Sequence, residues 1–280
     1  MIDPLVVEEL IDRALVEDIG FADLTSELVI PADARAELAL NARQDIVVAG
    51  IDVAAQVFRR RVPECRVELH VKDGDRVKSG TAMGRLEGPA RGLLAVERTA
   101  LNFLQHLSGV ATLTAQYVER IAGTRAVLID TRKTTPGMRA LEKHAAQLGG
   151  ARNHRLRLDD GVLIKDNHIS VCGSIALAVR RARSGAPVLT KIEVECDTLE
   201  QVKEALEAGA DMILLDNMSL EDLRRAVALS GGRVPLEASG GVKLETLRAV
   251  AETGVDFISV GRITQSAPAV DIGLDAVVRV

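Results

Sequence analysis

Aromatic side chains are scarce in this sequence. Tryptophan is absent, and Phe, Trp and Tyr together make up 2% of the 280 residues. Proteins that bind single-stranded nucleic acid stack the bases on aromatic rings along a positively charged groove, whereas this chain carries a formal net charge of −5. We therefore expect no nucleic-acid partner, and we expect a ligand that is held by charge and hydrogen bonds.

Cysteine is also rare. Cys65, Cys172 and Cys196 lie too far apart in the sequence for a Cys-x-x-Cys metal site. Their odd number and wide spacing argue against the disulfide framework of a small secreted protein. We expect them to be small hydrophobic residues of the core.

Long hydrophobic stretches are missing as well. The chain has no run of about 18 uncharged apolar residues, which is close to the length that a membrane-spanning helix needs. Its first residues, Met1-Ile2-Asp3-Pro4, lack the cationic start of a signal peptide and the apolar stretch that follows it. We expect a protein without membrane contact, located in the cytoplasm.

The order of apolar residues predicts two structural parts. A chain of 280 residues with 47% hydrophobic and 27% charged residues is large enough for an α/β barrel with a smaller companion domain. Helical spacing over residues 5–19 and 51–60, interrupted by short strand patterns, indicates a small α+β module near the start, and a long helix is predicted over 91–107. The strand patterns cover residues 36–41, 46–49, 66–71 and 82–86.

From residue 109 onward, apolar strand patterns alternate with amphipathic helix patterns. This order predicts a parallel sheet and, at this number of repeats, a β/α barrel, whose catalytic groups stand at the carboxyl ends of the strands. Polar or glycine residues follow the predicted strands, and the last four of these positions are 21, 23 and 22 residues apart. The positions are Asp130, Lys165, Glu195, Asp216, Ser239-Gly240-Gly241 and Gly261.

Positive charge is concentrated in residues 130–168. This window contains eight Lys or Arg residues against five acidic residues, although the whole chain is acidic. Such a concentration between glycine turns is typical of a pocket for a small, highly anionic ligand.

The residue types at the strand ends indicate a phosphate and a sugar. Ser239-Gly240-Gly241, together with Gly261, offers backbone N–H groups at glycine turns, which suit a phosphate. Glu195 and Asp216 suit Mg²⁺ or ribose hydroxyls. The remaining cations exceed what one monophosphate requires, so we expect a phosphoribosyl donor that meets an acidic acceptor. These cations are Arg132, Lys133, Arg155 and Lys165.

Several longer motifs in the chain resemble the quinolinate phosphoribosyltransferase family. The resemblance begins at Glu17-Asp18-Ile19-Gly20 and runs nearly end to end. The motifs that carry it are Asp130-Thr131-Arg132-Lys133-Thr134-Thr135-Pro136-Gly137, Asn153-His154-Arg155, Leu163-Ile164-Lys165-Asp166-Asn167-His168, Leu215-Asp216-Asn217-Met218 and Glu237-Ala238-Ser239-Gly240-Gly241.

The resemblance implies the architecture of a type II phosphoribosyltransferase. That architecture has an N-terminal α/β sandwich and an incomplete, seven-stranded α/β barrel. We expect the sandwich in residues 1–108 and the barrel in residues 109–265, with residues from about 266 to 280 packing back on the first domain. The resemblance also implies a homodimer in which Arg98 is supplied to the active site of the neighbouring subunit.

The reaction that the resemblance implies joins quinolinate to 5-phosphoribosyl-1-pyrophosphate in the presence of Mg²⁺. It releases pyrophosphate and CO₂ and gives nicotinate mononucleotide for de novo NAD synthesis. The residues expected to act in catalysis are Lys133, Lys165, Glu195 and Asp216.

The implied site residues divide between the two substrates. Lys133 and Mg²⁺ would stabilise the pyrophosphate leaving group, while Glu195 and Asp216 would hold ribose hydroxyls or the metal. His168 suits a ligand role and a turn-capping role equally well. The two carboxylates of quinolinate would be held by Arg98, Arg132, His154, Arg155 and Lys165, and the phosphate by Ser239, Gly240, Gly241 and Gly261.

Two other functions stay open. A paralogous phosphoribosyltransferase associated with molybdate transport operons shares the scaffold and would act on another acidic acceptor. Such proteins commonly lack the Lys-Asp-Asn-His segment that this chain has at residues 165–168, but Gln265 stands where the family usually has histidine. A non-catalytic carrier module built on the turn at residues 72–80 would leave the polar strand ends unexplained.

Overall fold

The computed structural model describes residues 3–277 and shows two compact units. The first unit contains residues 3–115, Thr135–Gly149 and 266–277, and the second contains Gln116–Thr134 and Gly150–Gln265. A segment from the middle of the chain and the described C-terminal residues therefore belong to the same unit as the N-terminal part.

Aspartate side chains start the first helices of the first unit. Asp3 Oδ1 accepts a hydrogen bond from the N–H of Leu5, and Pro4 occupies the first helical turn. Asp23 caps the second helix in the same way through the N–H of Ser26. The helices predicted over 5–19 and 51–60 are confirmed. The helices are α1 (Pro4–Ile19), α2 (Leu24–Val29) and α3 (Ile51–Arg61).

An antiparallel sheet in the first unit contains β1 (Arg35–Ala42), β3 (Arg66–Leu69), β5 (Ala82–Pro89) and β12 (Ile272–Ala276), in the order β12–β1–β5–β3. A separate pair joins β2 (Ile46–Val47) to β4 (Arg76–Val77). The sequence predicts a simple turn at Asp73-Gly74-Asp75 between two strands, but the chain forms β4 before it enters β5. Asp73 Oδ1 instead accepts the N–H of Ile51 at the start of α3, which gives the turn a structural role.

Helix α4 (Ala90–Arg120) is longer than the sequence predicts. The pattern predicts an end at Leu107, but Val110, Ala111 and Ala115 continue the buried stripe. Gly109 lies inside the helix, where its missing side chain admits a close neighbour: a Cβ at this position would lie 3.1 Å from the carbonyl carbon of Pro268. The domain boundary predicted between residues 108 and 109 therefore falls inside helix α4. The part of this helix that belongs to the first unit ends at Ala115.

Helix α5 (Arg139–Leu148) also belongs to the first unit. Its Glu142 side chain is fully buried and holds two partners. Glu142 Oε1 lies 2.8 Å from His106 Nε2, and Oε2 accepts the N–H of Thr135. These contacts fix the middle segment of the chain within the first unit.

A parallel sheet forms the core of the second unit. It contains β6 (Val127–Ile129), β7 (Val162–Ile164), β8 (Ile192–Cys196), β9 (Met212–Asp216), β10 (Leu236–Ser239) and β11 (Phe257–Ser259), in the order β6–β11–β10–β9–β8–β7. The seventh position is represented in residues 3–277 by a single parallel bridge between Ile129 and Arg152. The predicted incomplete barrel is confirmed in this form, with six paired strands and one residue in place of the seventh.

Helices follow the strands of the second unit, and side chains cap the starts of several of them. Thr198 and Gln201 form a capping box, and Ser219 caps the next helix through the N–H of Asp222. Within residues 3–277 no helix combines the length and the apolar character that a membrane crossing requires. The helices are α6 (Asp166–Cys172), α7 (Ile175–Gly185), α8 (Leu199–Ala208), α9 (Leu220–Ser230), α10 (Leu244–Ala251) and α11 (Arg262–Gln265).

Candidate active site

The carboxyl ends of the strands in the second unit surround a cavity of about 550 Å³. In α/β barrels this face carries the active site. Gly261 is adjacent to the cavity residue Lys133, because a Cβ at Gly261 would lie 2.8 Å from Lys133 Cδ. The predicted residues that line the cavity are Arg132, Lys133, His154, Arg155, Lys165, Glu195, Asp216, Ser239, Gly240 and Gly241.

Side-chain alternation along the strands places the polar groups in two layers. Residues two apart in a strand point to the same side, so Glu193 lies below Glu195 in β8 and Glu237 lies below Ser239 in β10. We call Lys165, Glu195, Asp216 and Ser239 the upper layer. The lower layer consists of Glu193 and Glu237 together with His154, and its two carboxylates are only 5% and 1% exposed.

An ion pair joins two members of the upper layer, Lys165 Nζ and Glu195 Oε2. The lysine side chain remains 45% exposed, whereas the glutamate side chain is 11% exposed. A charged ligand in the cavity can compete for either partner, because an ion pair that is accessible to solvent contributes little net stability.

Asn217 contacts both Asp216 and the glycine turn at 239–241, which are predicted to bind the donor. Its backbone has a φ of 54°, the only positive value for a non-glycine residue among residues 3–277, and its N–H donates to Ser239 O. Its side-chain Nδ2 donates to Asp216 Oδ2 at 2.6 Å. A Cβ at Gly240 would lie 2.9 Å from Asn217 N and closer still to its side-chain oxygen. Asn217 therefore orients the Asp216 carboxylate and requires glycine at position 240.

The loop after β6 presents Lys133 to the cavity. The main chain of Lys133 is fixed on both sides, because its N–H donates to Thr131 Oγ1 at 3.0 Å and its carbonyl accepts the hydroxyl of Thr264 at 2.7 Å. Its ammonium group has no hydrogen-bond or ion-pair partner in the described part of the chain. Gln265 lies next to the same glycine, since its Oε1 would be 3.4 Å from a Cβ at Gly261.

Two arginines give the cavity its positive character. Burial and the nearby charge of Arg132 lower the pKa of Arg155. The Nε atom of Arg132 is buried and lacks a hydrogen-bond partner among residues 3–277. Two guanidinium groups that line one cavity repel each other unless an anion lies between them, and the unused donor of Arg132 suits the same kind of ligand.

His154 is fixed at both ring nitrogens. Its Nε2 lies 2.8 Å from Glu193 Oε2 and 3.5 Å from Glu237 Oε2. Its Nδ1 accepts a hydrogen bond of 2.8 Å from the backbone N–H of Arg155. The sequence assigns His154 to a substrate carboxylate, whereas the structure shows the ring occupied by protein partners.

Burial and the two carboxylates control the protons of the lower layer. Burial opposes a charge on His154, but the hydrogen bond to Glu193 and the 3.5 Å contact with Glu237 outweigh burial and raise the pKa of His154. Burial raises the pKa of Glu193 to about 7, and the charge of Glu237 adds to the effect. His154 and Glu193 are therefore coupled and hold protons jointly at neutral pH.

The hydrogen bonds decide where these protons lie. Nδ1 of His154 carries none, because it accepts the N–H of Arg155. One proton is therefore on Nε2, which donates to Glu193. Because Nδ1 cannot carry the other, the ring is neutral and the raised pKa of His154 reflects a second proton held by Glu193. A proton on Glu193 accounts for Glu193 Oε1 and Glu237 Oε2, which are buried and have no hydrogen-bond partner among the described residues.

The lower layer has the composition of a metal site, because ligand atoms of His154, Glu193 and Glu237 lie within 4.8 Å of one another. Its hydrogen bonds do not suit a metal. A metal ion on Nε2 would move the ring proton to Nδ1, where the amide of Arg155 already donates. The predicted metal ligands Glu195 and Asp216 are different residues, and each of them has a protein partner, Lys165 and Asn217 respectively.

Two further predicted residues have clear positions. His168 Nδ1 accepts the N–H of Lys165 at 2.9 Å, so His168 caps the start of α6. Arg98 belongs to the first unit, where it is exposed on α4 and has no hydrogen-bond or ion-pair partner among residues 3–277. Of the cysteines, Cys65 and Cys196 are buried as expected, whereas Cys172 is half-buried.

The sequence interpretation missed Glu193, Glu237 and Asn217. The strand-end pattern indicates only the last residue of each predicted strand, whereas Glu193 and Glu237 stand two residues before that position. The period-two pattern Glu193-Val194-Glu195 carries a signal for Glu193, because it places both glutamates on one face of the strand. The role of Asn217 depends on a backbone conformation that the sequence leaves open.

Comparison with known proteins identifies the family. The N-terminal domain model of quinolinate phosphoribosyl transferase matches residues 23–108, and the C-terminal domain model matches residues 110–275. The chain belongs to the quinolinate phosphoribosyltransferase family.

Individual members of the family are similar over nearly their full length. The chain is 42% identical to the probable nicotinate-nucleotide pyrophosphorylase (carboxylating) of Bacillus subtilis, with 97% of this chain and 93% of the relative covered. It is 44% identical to the nicotinate-nucleotide pyrophosphorylase (carboxylating) of Mycobacterium leprae, with 95% of each covered. The solved nicotinate-nucleotide pyrophosphorylase of Francisella tularensis matches with a TM-score of 0.95, 38% identity and coverage of 99% and 98%.

Proposed function

We propose that this protein transfers the phosphoribosyl group of 5-phosphoribosyl-1-pyrophosphate to quinolinate, with decarboxylation to nicotinate mononucleotide. The observation that carries the proposal is one cavity that is lined by both Arg132 and Arg155 and in which the Ser239-Gly240-Gly241 turn lies beside Asp216. The first pair suits an acceptor with two carboxylates, and the second group suits a phosphoribosyl donor. Relatives that carry the name of this activity are about 40% identical to the chain, which supports the same assignment.

The arginines are the groups that would hold the acceptor. Quinolinate has two adjacent carboxylates on a pyridine ring, and the unused Nε of Arg132 supplies a donor for one of them. The pyridine nitrogen is itself the nucleophile, so the protein needs no activated nucleophilic side chain. Its contribution to this step is the orientation of the ring nitrogen toward the ribose and the exclusion of water.

Lys133 and the glycine turn would hold the donor. The ammonium group of Lys133 is available to the pyrophosphate leaving group, since it has no partner in the described part of the chain. Asp216 is held by Asn217 in an orientation that suits a ribose hydroxyl. Lys165 and Glu195 would exchange their mutual ion pair for contacts with the two substrates.

The proposed cofactor is Mg²⁺, which neutralises charge on pyrophosphate as that group leaves. Glu195 and Asp216 fit this role, because Mg²⁺ usually binds one or two protein carboxylates and takes its other ligands from phosphates and water. Because Glu195 is paired with Lys165, we assign the larger share of the protein contact to Asp216.

The proposed assembly is a homodimer in which Arg98 completes the acceptor site of the other subunit. Two features of the first unit support it. Arg98 is exposed without a hydrogen-bond or ion-pair partner in residues 3–277, and the region of α1 and α2 exposes several large apolar side chains, a pattern that marks interaction surfaces. These side chains are Val16, Phe21, Leu24 and Leu28, which are 75%, 109%, 70% and 83% exposed.

Subunit mixing tests the role of Arg98. Arg98→Ala and Lys133→Ala each inactivate a homodimer, but a mixed dimer would contain one site with both residues intact. Refolding or exchange of the two variants at equal amounts would then restore about a quarter of the wild-type activity, because half of the dimers are mixed and each has one good site. No recovery in mixtures shown to contain mixed dimers would contradict supply across the interface.

The proposed activity is tested by incubating the protein with quinolinate, 5-phosphoribosyl-1-pyrophosphate and Mg²⁺, with nicotinate as a parallel acceptor. We expect nicotinate mononucleotide, pyrophosphate and CO₂ in equal amounts from quinolinate and no product from nicotinate. Product from nicotinate alone, or from neither acceptor while the donor binds, would overturn the proposal. The second outcome would favour the molybdate-operon type of paralogue.

A further inference from the structure

Arg155 lies on a part of the chain that has little support from the sheet. The seventh strand of the barrel is reduced to the bridge at Arg152, so the backbone of residues 153–155 makes no regular ladder. Side chains hold it instead. Asp130, which is fully buried, accepts Asn153 Nδ2 at 2.6 Å and the N–H of His154 at 2.9 Å.

His154 extends this support to Arg155. Its Nδ1 accepts the N–H of Arg155 at 2.8 Å, while the guanidinium Nη1 of Arg155 donates to Gly161 O at 3.0 Å. The arginine is therefore fixed at its main chain by a histidine ring and at its tip by a carbonyl.

Glu193 determines which nitrogen of the His154 ring can accept the hydrogen bond from Arg155. Nε2 is 2.8 Å from Glu193 Oε2, so the ring proton resides on Nε2 and leaves Nδ1 free to accept. Glu237, on β10, lies 3.5 Å from the same nitrogen. A polar contact on one side of the ring thus fixes the acceptor that Arg155 needs on the other.

We propose that the lower layer, His154 with Glu193 and Glu237, is a positioning device for Arg155 and sets the affinity for the acceptor without touching it. This inference rests on the proposed function, in which Arg155 binds a carboxylate of quinolinate. It changes the role of His154 from a substrate ligand to a residue that acts through its neighbour, and it assigns a role to two buried glutamates.

Two substitutions at position 154 separate the alternatives. An asparagine amide group lies at the same distance along the side chain as Nδ1, so His154→Asn keeps an acceptor for the N–H of Arg155. A glutamine amide reaches the position of Nε2, so His154→Gln keeps the contact with Glu193 and loses that acceptor. The two variants differ by one methylene group and have similar polarity.

The KM for quinolinate and the KM for the phosphoribosyl donor are measured for both variants and the wild type. We expect the quinolinate KM to rise at least tenfold more in His154→Gln than in His154→Asn, about 1.4 kcal/mol of binding, with the donor KM of both within about threefold of wild type. Equal losses in the two variants, or a loss confined to the donor KM, would overturn the proposal.

The ring state of His154 gives a second readout that needs no substrate. Nitrogen-15 spectra of ring-labelled protein, assigned with the two variants, should show a neutral imidazole with a protonated Nε2 and an unprotonated Nδ1. An imidazolium with protons on both nitrogens would contradict the positioning scheme. If the wild type made no product from quinolinate, the proposed function would fail by itself, and the spectrum would still decide whether the lower layer holds Arg155 as described.

Discussion

The upper and lower layers of polar side chains in the second unit share strands β8 and β10 and differ in what they contact. The upper-layer pair Lys165–Glu195 is half open to the cavity on its lysine side, whereas the lower-layer carboxylates of Glu193 and Glu237 are almost completely buried. A spacing of two residues along β8 separates Glu195, which lines the cavity, from Glu193, which does not. Two glutamates on one face of the same strand therefore have different surroundings.

Burial also sets how each layer tolerates loss of a partner. An accessible ion pair is readily replaced by contacts with water or substrate. A buried polar group that loses its partner keeps its desolvation penalty. We therefore expect substitutions around the cavity mouth to affect mainly catalysis, and substitutions in the lower layer to affect stability together with acceptor binding.

The largest effect is expected for Lys133→Ala at the cavity mouth. Its unpaired ammonium group is the proposed contact for the leaving pyrophosphate, so kcat/KM for the donor should fall by about 100- to 1000-fold. The dissociation constant of quinolinate should change by less than about threefold. Steady-state kinetics and calorimetry measure the two quantities.

Lys203→Ala is the matched control for this change, because Lys203 is an exposed lysine on α8 that pairs only weakly with Glu207. Its kinetics should equal those of the wild type. If Lys133→Ala lost quinolinate binding and kept normal donor affinity, the division of the cavity between the two substrates would be wrong.

A smaller effect, with a stability component, is expected in the lower layer. Glu193→Leu removes the acceptor of His154 Nε2 and should lower the free energy of unfolding by about 1–3 kcal/mol, with a higher quinolinate KM. Glu193→Gln keeps a carbonyl acceptor and replaces a proton-bearing carboxyl with an amide of the same shape. Its loss in the free energy of unfolding should therefore be less than half of the loss in Glu193→Leu. Chemical unfolding and kinetics of both variants test this order. Equal stability of the two variants would show that Nε2 does not depend on an acceptor at this position.

Asn217 is the corresponding support on the donor side, and a pair of substitutions separates its backbone from its side chain. Asn217→Gly accepts the φ of 54° but loses the hydrogen bond to Asp216, so the donor KM should rise by about fivefold to tenfold. Asn217→Ala loses the same bond and adds strain of about 1 kcal/mol in the left-handed region. Alanine should therefore lower the melting temperature below that of the glycine variant. A normal donor KM in Asn217→Gly would contradict the role of the amide.

The smallest effect is expected for Asp211, a charged residue that touches neither layer. It accepts Arg183 Nη1 and the N–H of Ile192, both at 2.8 Å. Burial alone would raise the pKa of Asp211, but these hydrogen bonds outweigh burial and lower it. Asp211→Asn should reduce stability by about 1 kcal/mol at neutral pH without changing either KM.

Because the folded-state pKa of Asp211 is depressed, its stabilisation is present above the pKa of the unfolded chain and is lost as the pH falls through the folded value. The difference between Asp211→Asn and wild type should be constant from pH 7 to about pH 5 and should shrink below about pH 4. Glu252→Gln, in an exposed pair with Arg248, should lose no more than about 0.5 kcal/mol at any pH. A deficit for Asp211→Asn that grows toward acid pH would contradict the assignment.

The sequence predicted the elements that depend on local patterns. The strand ends and the glycine turn at 239–241 follow from residue order, and the structure brings these strand ends to one cavity. The end of α4 was not predicted, because a glycine usually weakens a helix, whereas Gly109 lies inside this helix and packs closely against Pro268, far along the chain. The contacts of His154 could not be predicted either, because they depend on Glu193 and Glu237, which are 39 and 83 residues away in the sequence.

The most direct test of the two-layer account is a crystal structure of the protein with quinolinate bound. The account predicts quinolinate carboxylates on Arg132 and Arg155, with His154 Nδ1 still on the amide of Arg155 and Nε2 still on Glu193. It also predicts a change in the Lys165–Glu195 pair at the cavity mouth. A quinolinate carboxylate hydrogen-bonded to a ring nitrogen of His154, with the Glu193 contact broken, would contradict the account.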